Sequence, residues 1–177
     1  MAVIKTVQAG NPIIRENCVV ATDIQSDLVQ QIIRDLIDSM RHGDLIGMAA
    51  PQIGHDLRIY VSELRETKYR KGNIDKVRVF INPEIIERSE ELTVGYEGCG
   101  SVAHSGLFGP VKRSSEVRVR AQNEEGEPFE FTAKGLLAVV MQHEIDHLDG
   151  ILFIDKIEDT KKIMSQDEYI KFRSKEK

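Results

Sequence analysis

The stretch of sequence that decides the fold is residues 136–150, which read LLAVVMQHEIDHLDG. Its first half is apolar, and its second half places His143 and His147 at i and i+4, one helical turn apart on one face. We predict a helix over residues 132–148, with Thr132 as its N-terminal cap and the glycine that closes the stretch as its end. Such a helix would form the centre of the fold and carry a site on one side.

The two histidines are suited to binding one divalent metal ion. Their rings can converge on an ion, and Glu144 lies at the edge of the same face, within reach of a water molecule at the metal. The alternative is two ordinary surface histidines, but a chance His-Glu-x-x-His pattern is expected in only about one chain in a hundred of this length. The pattern therefore favours a catalytic metal, with Glu144 as the proton-handling group of a hydrolase.

A third protein ligand is needed, because catalytic zinc-type sites use three and leave one position for water. One protease pattern places a third histidine downstream, where this chain has Phe153. Another uses a downstream glutamate, for which Glu168 is the candidate. The remaining candidate is the thiolate of Cys99, whose flanking glycines let the backbone approach an ion closely. A lone cysteine is more often a small buried apolar residue, so the residues alone leave these alternatives open.

Outward from this helix, the sequence predicts an α+β fold. A second helix over residues 24–40, ended by Gly43, is indicated by apolar residues that recur every four positions. The other predicted elements are, in chain order, a loop or short edge strand at 47–54, strands at 57–61, 77–81 and 116–121, a hairpin turn at 123–126, its return strand at 128–131, and a polar helix at 159–172. This order predicts antiparallel β-sheets packed around a central metal-binding helix, with an N-terminal and a C-terminal helix.

Composition limits the classes of function only broadly. A chain of 177 residues with 41% hydrophobic content suits one domain over residues 1–177. The formal charge of -5 gives no general attraction to nucleic acid or anionic lipid. The longest apolar run is too short to span a bilayer, and the N-terminus lacks the apolar stretch of a secretory signal. We therefore expect a cytoplasmic protein with no membrane partner and no sequence-specific nucleic-acid partner. Two cysteines make a poor disulfide framework, and we interpret Cys18 as a packing residue.

Three segments together resemble the three motifs of peptide deformylases. In the family's order and spacing, they are Gly47-x-Ala-Ala-Pro-Gln52, Glu97-Gly-Cys99-x-Ser101 and Gln142-His143-Glu144-x-Asp-His147. The Gly-Leu-Leu-Ala opening of the central helix, at residues 135–138, is part of the same resemblance. Three motifs in register are much more specific than any one of them, and the resemblance covers most of the chain.

The resemblance implies roles for individual residues. They are metal ligation by Cys99, His143 and His147, general acid–base catalysis by Glu144, donation to an oxyanion by Gln52 and the backbone N–H of Gly100, and close approach of Gly47 to the bound peptide. The apolar residues Leu136, Val139 and Val140, on the same side of the helix as the histidines, would receive a methionine side chain.

The resemblance also implies an activity, a metal and partners. Family members remove the formyl group from the N-terminal methionine of new polypeptides, which implies nascent chains as the substrate and contact with the ribosome near the exit tunnel. They typically use one ferrous ion, and a Cys-His-His ligand set also suits zinc, nickel or cobalt.

The sequence departs from the family pattern at four positions near this site. Leu45 replaces the usual first glycine of the first motif, Gly100 a leucine of the second, Ala103 a following proline, and Phe108 an arginine thought to hold the peptide backbone. The catalytic set is intact, so we expect an active amidase with altered peptide affinity or substrate choice. His104 could reach the metal as a fourth ligand, but a closed structural site has no need of an adjacent glutamate, and we expect a loop residue at the site mouth.

Two other functions remain open at this point. One is a metallopeptidase in which Glu168 replaces Cys99 as the third ligand. The other is a relative that binds formylated or acylated N-termini, or hydrolyses other acyl groups from them, which Leu45, Gly100 and Phe108 would favour.

Overall fold

The computed structural model describes residues 2–66, 72 and 74–175. The helices of this part of the chain are α1 (Asp27–His42), α2 (Leu136–Leu148) and α3 (Gln166–Lys175). The strands are β1 (Gly47–Ala49), β2 (Ile59–Ser62), β3 (Arg78–Arg88), β4 (Leu92–Gly98), β5 (Leu107–Ser114), β6 (Glu116–Gln122), β7 (Pro128–Lys134) and β8 (Met164–Ser165). Among the described residues, no helix is both long enough and apolar enough to cross a bilayer.

The strands form two antiparallel sheets. The larger sheet has the order β1-β2-β3-β6-β7, and the smaller one has the order β4-β5-β8. β1 is therefore an edge strand, within the segment predicted as a loop or short edge strand, and a 3-10 turn at Ala50–Ile53 follows it. β3 extends well beyond the predicted residues 77–81, because the strand continues past a register shift that contains Pro83.

The central helix α2 contacts both sheets. Its apolar side packs Met141 and Leu148 against Tyr60 and Phe80 of the larger sheet, and these side chains are fully buried. Its polar side faces the smaller sheet, where Asp146 pairs with a residue of β5. The predicted α+β fold, with antiparallel sheets around a central helix, is confirmed.

The first predicted helix is confirmed, although it spans Asp27–His42 rather than 24–40. The Ser26 hydroxyl accepts a hydrogen bond from the Val29 N–H and caps the helix, and Gly43 follows its last residue. The buried side of α1 joins the core cluster formed with β1 and β2, to which Leu36 and Met40 contribute fully buried side chains. Helical periodicity alone was sufficient to find this element.

The start of α2 differs from the prediction. Thr132 does not cap a helix, because it lies in β7 and pairs with Arg118 of β6. The chain leaves β7 at Gly135, whose φ of 58° and ψ of -132° are a conformation that favours glycine, and α2 begins at the next residue. The predicted end is confirmed: α2 stops at Leu148, and Gly150 adopts a left-handed φ of 71°.

The C-terminal helix is shorter than the predicted 159–172. The Asp159 side chain accepts a hydrogen bond from the Lys161 N–H, which forms a single 3-10 turn rather than a helix start. The next residues pair with β5 as β8, so α3 begins only at Gln166. The ring of Tyr169 stacks on Phe108 with centroids 4.2 Å apart, which fastens α3 to the smaller sheet.

The hairpin of β4 and β5 was not predicted. Its register runs from Leu92 opposite Ser114 to Gly98 opposite Phe108, and its turn contains the loop after Cys99. The buried face of this hairpin carries two charged side chains, Glu97 and Arg113, beside the apolar Val111, and it leads to the candidate site.

Candidate active site

A thiol and two imidazole rings converge beside α2. The potential ligand atoms of Cys99, His143 and His147 all lie within 4.8 Å of one another, and Cys99 Sγ is 3.2 Å from His147 Nε2. In the described ranges, this is the one group of three or more His, Cys, Asp or Glu side chains arranged to hold an ion. A tetrahedral ion with metal–sulfur and metal–nitrogen distances of about 2.3 and 2.0 Å fits donors of these types at such separations.

Glu97, the last buried residue of β4, orients one of the rings. Its Oε2 lies 2.8 Å from His143 Nδ1, which leaves His143 Nε2 for another partner. The pKa of Glu97 is lowered to about 2, because hydrogen bonds from Arg113 and His143 outweigh the effect of burial. The pKa of His143 lies well above its ordinary value: burial lowers it, but Cys99 and Glu97 raise it by more.

Arg113 of β5 joins these groups into a buried charge network. It donates two hydrogen bonds to Glu97, at 2.8 and 2.9 Å, and a further one to Asp146 of α2. Lys156 lies 3.3 Å from the other oxygen of Asp146. Sequence reasoning missed the roles of these residues, because the partners are brought together by strand register. The one available signal was Asp146, which lies inside the His-Glu-x-x-His motif.

Glu144 is buried beside the cluster. Its side chain is 4% exposed, and its Oε2 has no hydrogen-bond partner within the described part of the chain. Burial raises the pKa of Glu144 to about 7, an effect that the charge of His143 opposes. A buried carboxyl group with an unpaired oxygen and a pKa near neutrality is suited to accepting and returning a proton.

Gly47 of β1 lies directly against Glu144. A Cβ at this position would be 2.8 Å from Glu144 Cδ and closer still to Oε1, which is closer than real contacts allow. The resemblance implies that Gly47 approaches a bound peptide; the described residues already give a separate reason for a glycine here. The absence of a side chain at position 47 leaves the room that the Glu144 carboxyl group occupies.

Gln52 places an amide beside the thiol. Its Oε1 accepts a hydrogen bond of 2.8 Å from the Ala49 N–H, which orients the side chain. Its Nε2 lies 3.5 Å from Cys99 Sγ and 3.3 Å from Ser101 Oγ. Gln52 is 2% exposed, so a buried donor points toward the centre of the cluster.

Two of the departures from the family pattern are neighbours in space. A Cβ on Gly100 would lie 3.1 Å from Leu45 Cδ1 and 3.4 Å from Thr6 Cγ2. The Leu45 side chain therefore occupies space that a side chain at position 100 would enter. Leu45 and Gly100 are therefore complementary in size, since the larger side chain at position 45 fills the space left by the glycine.

Phe108 does not lie free at the site mouth. Besides its stack on Tyr169, its ring would be 2.6 Å from a Cβ on Gly98, so it packs across that glycine of β4. Phe108 therefore makes an aromatic contact with α3 at the position where the family pattern has an arginine.

Other predicted candidates lie outside the cluster. Glu168 is exposed on α3, where it pairs with Lys171 at 2.6 Å. His104 is exposed in a turn with a φ of 52°, and Phe153 packs with its ring centroid 6.3 Å from that of His143. None of the three belongs to the group of potential ligands in the described ranges.

The predicted pocket residues lie along the face of α2 that carries His143, by helical spacing. Leu136 is 41% exposed, Val139 is half-buried, and Val140 is buried but belongs to none of the three core clusters. A role for them in binding a side chain stays a prediction.

The fold and the site together define the class of protein: an α+β metal-dependent hydrolase whose cluster joins a cysteine to a His-Glu-x-x-His helix. The comparisons with known proteins narrow this class. The family model described as polypeptide deformylase matches residues 3–163. A peptide deformylase of Pseudothermotoga lettingae is 44% identical over 148 residues, which is 84% of this chain and 79% of that protein. One from Heliobacterium modesticaldum is 41% identical over 158 residues, 89% of this chain and 96% of the relative.

Solved structures agree. A class I type b peptide deformylase from Acinetobacter baumannii, with Met-Ala-Ser bound, gives a TM-score of 0.83 at 30% identity over 88% of this chain and 99% of that one. A peptide deformylase from Thermotoga maritima gives a TM-score of 0.77 at 33% identity, over 90% of this chain and 100% of that one. The chain belongs to the peptide deformylase family. The predicted family, the fold and the deformylase activity are confirmed, and the family together with the Cys-His-His group indicates a single metal ion.

Proposed function

We propose that the chain hydrolyses the formyl amide at the N-terminal formyl-methionine of newly made polypeptides and releases formate. The observation that carries this proposal is the position of Glu144 next to the Cys99, His143 and His147 donors. Glu144 is a buried carboxyl group whose Oε2 finds no hydrogen-bond partner among the described residues. The exposed position of Glu168 disfavours the metallopeptidase alternative, and a proton-transfer group is not needed by a protein that only binds acylated N-termini.

Cys99, His143 and His147 would hold the metal, with ferrous iron proposed in the cell and zinc, nickel or cobalt as substitutes. Their fit to an ion is supported by the convergence of one sulfur and two imidazoles and by the Glu97 contact that fixes the His143 ring. A divalent ion bound there supplies Lewis-acid chemistry that lowers the pKa of water toward neutrality.

The residues of the chain would carry out the proton transfers. Glu144 accepts a proton as the water oxygen adds to the formyl carbon, and it returns that proton to the amine nitrogen when the carbon–nitrogen bond breaks. Gln52 Nε2 and the N–H of Gly100 donate hydrogen bonds to the oxygen that becomes negative, each worth about 3 kcal/mol in the transition state.

Binding of the substrate would use neighbouring elements. Leu136, Val139 and Val140 are proposed to receive the methionine side chain, and Gly47 to let the peptide backbone approach. We also propose that residues 1–177 form one such domain, that the protein acts in the cytoplasm, and that it meets nascent chains at the ribosome. Two cysteines without a disulfide, Cys18 and Cys99, are consistent with a reducing compartment.

The test is formate release from a formyl-Met peptide by protein loaded with ferrous iron under anaerobic conditions, since a thiolate-bound ferrous centre is open to oxidation. We expect Glu144→Gln to lower kcat by about 10²- to 10⁴-fold while the metal content is retained. The matched control is Glu168→Gln, an exposed glutamate on α3, which should leave both quantities unchanged. No formate from wild-type protein with confirmed metal would reject the proposal.

A further inference from the structure

The N-terminal segment, residues 4–9, lies across the two loops that would stabilise the oxyanion. The Val7 N–H donates a 2.8 Å hydrogen bond to the Gln52 carbonyl, and the Ala9 N–H donates one of 2.8 Å to the Ser101 carbonyl. One short segment therefore joins the backbone of the Gln52 turn to the backbone of the loop that carries Cys99.

Between these two backbone bonds, the side chain of Gln8 spans the Cys99 loop. Its Nε2 donates a 2.8 Å hydrogen bond to the Gly100 carbonyl and lies 3.2 Å from Thr6 Oγ1. The Thr6 hydroxyl donates to the same Gly100 carbonyl at 3.2 Å. Gln8 Oε1 accepts a 3.0 Å hydrogen bond from the His104 N–H. The amide nitrogen of Gln8 thus bonds to the start of the loop, at Gly100, and its amide oxygen bonds to the end of the loop, at His104.

These contacts matter because Gly100 has no side chain to restrict its backbone. Its N–H belongs to the peptide plane between Cys99 and Gly100, and its carbonyl belongs to the next plane. Fixing the carbonyl limits rotation at Gly100, so the direction of the N–H is set by Cys99 on one side and by Gln8 and Thr6 on the other. Leu45 closes the remaining space above the glycine.

The other end of the loop is conformationally costly. Ala103, His104 and Ser105 all have left-handed φ values, of 48°, 52° and 63°. Each such residue costs about 1–2 kcal/mol relative to a right-handed one, so the conformation persists only where the surroundings enforce it. The hydrogen bond from the His104 N–H to Gln8 Oε1 is one such restraint. The Gln8 side chain therefore restrains both ends of the loop, at Gly100 and at His104.

We propose that Gln8 is a positioning residue for deformylation: it holds the Gly100 peptide so that its N–H points at the oxyanion. This inference rests on the proposed role of Gly100 as a donor. An oxyanion donor acts mainly in the transition state, so loosening it lowers kcat rather than substrate affinity.

The experiment compares two substitutions at position 8 in the full-length, iron-loaded protein. Gln8→Met has a similar shape but no hydrogen bonds, and Gln8→Glu keeps the acceptor for His104 while it removes the donor to Gly100. We expect both to lower kcat by about 10- to 100-fold, with KM within about twofold and metal content unchanged. Amide hydrogen exchange of residues 99–105, followed by mass spectrometry, should be faster in both variants than in the wild type.

The matched control is Gln30→Met. Gln30 Nε2 also donates to two backbone carbonyls, those of Ile24 and Glu124, each at 3.0 Å, but it lies on α1 away from the cluster. This variant should change neither kcat nor exchange in residues 99–105. A kcat for Gln8→Met equal to that of Gln30→Met overturns the inference, and so does a loss explained entirely by KM or by lost metal.

The two proposals fail in different ways. If the wild-type protein releases no formate, the proposed function fails at the parent protein. The positioning role of Gln8 fails separately if exchange in residues 99–105 is the same in Gln8→Met as in Gln30→Met, whatever the activity of the parent.

Discussion

The two sides of the candidate metal site are held by different kinds of interaction. On the helix side, Met141 and its apolar neighbours of α2 pack against the larger sheet and exclude water. On the hairpin side, β4 and β5 lead into Cys99 and are tied to α2 through Arg113, which pairs with Glu97 and Asp146. Apolar packing is non-directional, whereas buried ion pairs depend on both partners and on their geometry. The difference suggests that the helix side provides stability and the hairpin side sets ligand alignment.

The largest effect is expected from breaking the hairpin side. Arg113→Met would remove the buried guanidinium that pairs with both Glu97 and Asp146, which should lower the free energy of unfolding by about 3–5 kcal/mol. Loss of the restraint on Glu97 should also loosen the His143 ring and weaken metal binding by about 10- to 100-fold. Denaturant unfolding and metal titration of the folded variant measure these two quantities.

The matched substitution on the helix side is Met141→Ala. Removing this fully buried side chain should cost about 2–5 kcal/mol of stability, comparable to Arg113→Met. Metal affinity of the folded protein should stay within a few fold of the wild type, because Met141 packs in the apolar cluster of the larger sheet, of which the three proposed ligands are not members among the described residues. Equal losses of metal affinity in the two variants would show that the two sides do not differ as described.

A smaller effect is expected where the two sides meet, at Leu45 and Gly100. Gly100→Leu should destabilise the protein by about 1–3 kcal/mol, since its side chain would enter the space of Leu45 and Thr6. Adding Leu45→Gly should recover part of this loss, so that the double variant is more stable than the sum of the single effects predicts. Thermal or chemical unfolding of the four proteins tests the coupling; strictly additive effects would mean that the two positions are independent.

The smallest effect is expected at Lys112, the residue before Arg113 on β5. Lys112 pairs with Glu158 at 2.8 Å, but both side chains are exposed. Exposed pairs contribute little, so Lys112→Ala should leave both the free energy of unfolding and metal affinity unchanged. A loss approaching that of Arg113→Met would indicate that charge on β5, rather than burial of the pair, stabilises the hairpin.

The same contrast explains what the sequence could predict. α1 and the end of α2 follow from apolar periodicity and terminal glycines, which are local signals. The local signal of the hairpin side is misleading, because in β4 the apolar side chains Leu92 and Val94 are exposed whereas the charged Glu97 is buried. The capping role given to Thr132 was wrong for a related reason, because pairing with β6 overrides local propensity.

In the candidate site too, residues on one helix could be predicted from the sequence, whereas residues brought together from distant segments could not. The pair His143 and His147, with Glu144, could be found from spacing on one helix. Cys99 could not be chosen over other third ligands from the residues alone, and three motifs in register were needed to favour it. Gln8 carries no signal in the sequence, because its contacts with Gly100 and His104 depend on how the first residues of the chain cross the fold.

The close approach of Gly47 to Glu144 has a consequence for how this protein can change. Every substitution at position 47 adds at least a Cβ, and the space for that atom is taken by the Glu144 carboxyl group. A substitution at position 47 therefore requires the Glu144 carboxyl group to move from its place, although glycine brings no functional group of its own. Mutational scanning should find position 47 nearly as intolerant as position 144, and the two constraints would relax together in a lineage that had abandoned the carboxyl group.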